Sequence, residues 1–93
     1  MRTTPQSRID EFNRLGLWSE DTLHGLLAEQ VRTRPDALAV ADQPNRKELT
    51  GDAPLRLTFG ELEEASDNLA AALLGKGIRA DSKVMIQLPN IAE

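Results

Sequence analysis

Apolar residues along this chain follow two periods, and the periods divide it into helices and strands. Leu23, Leu26, Leu27 and Val31 recur at three- and four-residue spacing, which puts them on one stripe of a helix. Asp21 or Thr22 can cap it, because a side-chain oxygen there accepts an unpaired N–H of the first turn. Arg32 and Arg34 sit at the negative end of the helix dipole, and Pro35 stops the helix. A second stripe, Leu62, Ala65, Leu69, Ala72 and Leu73, follows TFGE (Thr58 to Glu61). Thr with Glu three residues on is the capping-box pattern, so a helix is predicted from Thr58 to Lys76. Gly75 or Gly77 supplies its left-handed C-cap. Ile9, Phe12, Leu15 and Trp18 are spaced by three, with Gly16 among them, and predict a short amphipathic turn leading into a loop. Met1 to Ser7, polar and containing Pro5, predicts a mobile tail.

The strand signals are shorter. Ala37 to Ala41 is an apolar run bounded by Pro35 and Asp42, and Leu55 to Thr58 alternates as a strand wet on one side does. Between them, 42–54 carries Pro44, Gly51 and Pro54 without any structural period, which predicts a long exposed loop. Lys83 to Leu88 is nearly continuous in apolar character, as in a strand of a parallel α/β sheet covered on both faces. Helix, short loop and buried strand form the second half of a crossover unit. The expected fold is therefore α/β, with two main helices and about three short strands. Residues 1–21 form a tail and lead-in, and 22–93 a partial α/β subdomain. Pro89, Asn90 and IAE (Ile91 to Glu93) read as the stop of the last strand and the opening of a further helix, so the chain is expected to be the front piece of something longer.

Composition narrows the function classes. The chain has 93 residues, 40% of them hydrophobic, 28% charged and only 3% aromatic, with a net charge of −4. This is globular composition with a core resting on Leu, Ala, Val and Ile. The acidic balance argues against general nucleic-acid binding, which needs a basic face. There is no cysteine, which excludes disulfides, thiol catalysis and cysteine metal sites. No apolar stretch approaches the roughly 20 residues of a membrane span, and the N-terminus lacks an apolar signal core. A cytoplasmic protein is expected.

Five groups of residues invite a chemical reading. Gly75-Lys76-Gly77 suggests a phosphate loop, but such loops precede a helix N-terminus and these glycines follow a helix, so a C-cap is preferred. Asp81-Ser82 suggests the phosphopantetheine serine of an acyl carrier protein, yet Ser82 leads into a β-type run instead of opening a helix. His24, the only histidine, opens a helix and has no evident orienting acid. Glu61, Glu63, Glu64 and Asp67 stand where helix-start acids usually stand, which favours a solvated face over paired carboxylates or metal ligands. Gln87, Pro89 and Asn90 lie at the C-terminal end of the last strand, where open α/β sheets place ligands. Strand stop and helix cap remain the preferred roles.

The order of these features resembles the N-terminal segment of an AMP-forming acyl-CoA synthetase, a member of the adenylate-forming ligase superfamily. The matching pieces are TLHGLLAEQVRTRPDALAV (Thr22 to Val40), Leu55 with LTFGELEEASDNLAAALLGKGI (Leu57 to Ile78), and KVMIQLPN (Lys83 to Asn90). Gly16-Leu17-Trp18, the QLPN ending and the polar insertion DQPNRKELTGDAPLR resemble the branch that activates aryl and alicyclic acids. The family often has Gly-Asp-Arg before the last strand; here Asp81-Ser82-Lys83 keep only the positive charge.

The resemblance implies a two-step reaction in a longer parent. A carboxylate attacks the α-phosphate of ATP, and CoA thiol then displaces AMP. ATP, Mg²⁺ and CoA are thus implied for the parent, with a carboxylic acid as substrate and the remainder of the ligase chain as partner. The family's phosphate loop, adenine and ribose motifs and C-terminal lysine domain lie downstream, so no catalytic, cofactor-binding or metal-ligating residue is assigned here. This chain by itself is expected to be inactive and inclined to associate with itself. The alternatives are a stand-alone α/β interaction module and an acyl carrier protein.

Overall fold

Thr58 decides where the longest helix begins. Its Oγ1 accepts the Glu61 N–H at 3.2 Å, and the Glu61 carboxylate accepts the Thr58 N–H at 2.8 Å, which completes the capping box. Two more N–H groups of the same turn find acceptors outside the helix: Phe59 donates to the Ala37 carbonyl at 3.1 Å and Gly60 to the Pro35 carbonyl at 3.0 Å. First-turn donors have no partner within their own helix, so these bonds satisfy them and pin the Pro35 to Ala37 loop to the helix start. Thr58→Ala is expected to cost about 1 kcal/mol through the lost cap, read from urea or thermal unfolding; unchanged stability would remove the cap from this account.

The computed structural model describes residues 3–92. The elements run α1 (Gln6–Arg14), α2 (Leu23–Thr33), β1 (Leu38–Ala41), α3 (Arg46–Thr50), β2 (Arg56–Thr58) and α4 (Phe59–Gly75). Of the two caps offered for α2, Thr22 is used: its Oγ1 accepts the Gly25 N–H at 2.9 Å, while Asp21 bonds Ser19. The Arg34 N–H closes on the Gln30 carbonyl, and the helix ends before Pro35. The Arg34 guanidinium lies over the Phe59 ring, 5.1 Å from its centre, where α2 packs on α4.

β1 and β2 pair antiparallel, with Leu38 opposite Thr58, Val40 opposite Leu57 and Ala41 opposite Arg56. An irregularity between Leu38 and Val40 gives β1 one residue more than its partner, as in a bulge. α4 packs against both strands and α2, so it is the element around which the others gather.

Four expectations are corrected. Lys83 to Leu88 forms no strand, and the observed sheet is an antiparallel pair, not a parallel one. A strand exists only through a neighbour's N–H and C=O groups, and no backbone hydrogen bond among the described residues reaches this segment. The polar stretch 42–54 is not wholly loop: it contains α3, a helix too short to show a period, closed by Gly51 in the left-handed region (φ 84°). The N-terminal amphipathic turn is a nine-residue helix, α1, which takes in Gln6 and Ser7 from the expected tail. It packs on no other helix or strand among the described residues; Trp18 instead folds back on Phe12, ring centres 4.8 Å apart. Finally, Asn90 caps no helix within the described residues; Met1, Arg2 and Glu93, on which part of the tail and of the last helix expectation falls, lie outside them. Among the described residues the fold is a small α/β piece with four helices and two strands.

No hydrophobic side chain among the described residues is fully buried. The accessible surface is 7747 Å², whereas a compact chain of this mass exposes about 5,300 Å². The radius of gyration is 17.1 Å, against about 12 Å for a compact domain of this length.

Candidate functional site

The one fully buried residue among those described is charged. Arg46, 3% exposed, extends from α3 onto the carboxylate of Asp42, whose side chain is 1% exposed. Asp42 follows β1 directly. Its Oδ2 accepts from Arg46 Nη1 and, at 2.8 Å, from the Leu55 N–H at the entry to β2. Its Oδ1 accepts the Ala92 N–H, fifty residues along the chain. A single carboxylate therefore joins the end of β1, α3, the start of β2 and the C-terminal segment. The bond from Arg46 is the largest influence on the Asp42 carboxyl, and with the Leu55 and Ala92 amides it holds the group below the usual aspartate value of 3.8 against the opposing effect of desolvation.

Val40, Ala41, Asp42, Gln43, Asn90, Ile91 and Ala92 line an open recess of about 250 Å³ over this node. Its chemistry is limited by the bonds already made. Both Asp42 oxygens are engaged by donors, and the group stays ionised at neutral pH, so it is neither poised to exchange a proton there nor open to a metal ion. Among the described residues no group of three or more His, Asp or Glu side chains converges as metal ligands would. A second recess, between β2 and α4, is apolar and lined mainly by Leu55, Leu57, Leu62, Ala65 and Leu69.

The residues singled out from the sequence are not brought together. Gly75, Lys76 and Gly77 end α4 as a C-cap: the Gly77 N–H donates to the Leu74 carbonyl and the Ile78 N–H to that of Leu73, with Gly77 at φ 90°. Opposite signs are expected for two glycines two residues apart. Gly77→Ala should destabilise by about 1 kcal/mol, since left-handed backbone penalises a Cβ, and Gly75→Ala in helical backbone should stabilise by about 0.5 kcal/mol. An added Cβ meets nothing within 4 Å at either site, so the backbone alone sets the sign, and unfolding midpoints measure it.

Ser82 closes a tight turn. Its N–H donates to the Arg79 carbonyl and its Oγ accepts the Arg79 N–H, with Asp81 at φ 63°. Ser82 opens no helix, which sets it apart from a carrier-protein serine. His24 is exposed in the first turn of α2. Glu61 is bound into the capping box, while Glu64 and Asp67 face solvent. Gln87 is exposed and away from the recess; Asn90 lines it. The sequence reading missed Asp42 and Arg46. Their four-residue spacing was the available signal, but only the fold shows that the carboxylate also meets Ala92.

The profile of the AMP-binding enzyme family matches residues 27–93. The chain is 40% identical over 86 residues to a salicyl-AMP ligase / salicyl-S-ArCP synthetase of Mycobacterium tuberculosis, covering 92% of this chain and 14% of that protein. It is 33% identical over 86 residues to a salicylyl-CoA synthase / salicylate adenylyltransferase of a Streptomyces species, with coverage of 92% and 14%. Over 91 residues it is 28% identical to the medium-chain fatty-acid–CoA ligase of Escherichia coli, covering 98% of this chain and 14% of that one. The chain thus spans about a seventh of the length of these relatives. No solved structure matches it.

Proposed function

The chain belongs to the AMP-binding enzyme family, and from that premise we propose that it is the N-terminal part of the large domain of an ATP-dependent carboxylic acid ligase. The parent would form an acyl-adenylate and pass the acyl group to CoA, with an aryl acid as substrate. The observation that carries this reading is the extent of the likeness: relatives align along 92–98% of this chain, and several are named for salicylate or naphthoate activation. ATP, Mg²⁺ and CoA belong to the proposed parent. The residues described here do not fit a Mg²⁺–nucleotide site. The first-turn amides of α4 are satisfied by Thr58, Ala37 and Pro35, and the Asp42 carboxylate is engaged by Arg46 and two backbone amides. No catalytic step is assigned to this chain. Its proposed contribution is a preformed corner, α2, α4 and the strand pair, on which the remainder of the ligase chain folds. No helix among the described residues is long and apolar enough to cross a membrane. The test is a chimaera carrying this chain in place of the aligned segment of the Mycobacterium tuberculosis relative, assayed for salicylate-dependent ATP–pyrophosphate exchange.

A further inference from the structure

We draw no further inference here: the strongest candidate, the buried Asp42–Arg46 pair where β1, α3 and β2 meet together with the recess over it, belongs to the candidate site already described, where both carboxylate oxygens are engaged by Arg46 and the Leu55 and Ala92 amides.

Discussion

Asp42→Asn should undo the tertiary order of this chain more than any other single conservative change. The asparagine keeps the shape but removes the charge, and its amide can present a donor where three donors already point. Arg46 then loses its bond to the Asp42 carboxylate, and the Leu55 and Ala92 amides lose an ionised acceptor. Breaking a buried pair by removing one partner is far more costly than never having built it. The expected result is a fall in the unfolding midpoint greater than that of Thr58→Ala. Rapid hydrogen exchange at the Ala92 and Leu55 amides should accompany it, while α4 keeps its helical signal. Retained protection at Ala92 would show that the C-terminal segment is held by something other than Asp42. The pH dependence has a definite sign. The carboxyl is lowered in the folded chain, so its stabilising effect is complete above its unfolded value near 3.8 and is lost as pH falls from there through the lower folded value. Asp42→Asn should flatten that part of the acid unfolding curve.

The largest effect on activity is expected from the chimaera. The 93-residue chain alone should give no carboxylate-dependent ATP–pyrophosphate exchange. Adenylation brings a carboxylate up to a polyphosphate, and the repulsion must be screened by Mg²⁺, backbone N–H donors and placed cations. This chain has a net charge of −4, its Gly-Lys-Gly caps a helix C-terminus, and the amides of its best helix start are already bonded. Set in place of the 86 aligned residues of the salicyl-AMP ligase relative, it should support exchange well above the level of the isolated chain. A further change of Thr58 to Ala in the chimaera should lower thermal stability more than turnover, as suits a scaffold residue. A chimaera that folds and binds ATP but does not exchange would count against the ligase reading. Exchange by the isolated chain, abolished at Gln87 or Asn90, would make the end of the 83–88 segment a catalytic site after all.

Local chemistry was legible wherever a feature depends on residues a few positions apart. Thr58 and Glu61 specify a helix start between them and Pro35 a boundary, because each acts within one turn of backbone; the cap of α2 was narrowed to Asp21 or Thr22 and the stop of α4 to Gly75 or Gly77, and the structure chose Thr22 and Gly77. The apolar stripes of α2 and α4 and the short runs that became β1 and β2 were readable for the same reason, as was the order of pieces that ties the chain to its family. The tertiary structure alone decided the rest. Beyond its four-residue spacing from Arg46, Asp42 gave no sign that its carboxylate would also collect Leu55 and Ala92, since the last of these lies fifty residues away and contributes only a backbone amide. Whether Lys83 to Leu88 becomes a strand is likewise not a property of those six residues. Their pattern fixes which faces are apolar, but a ladder needs a neighbour's donors and acceptors, and among the described residues no backbone hydrogen bond reaches them.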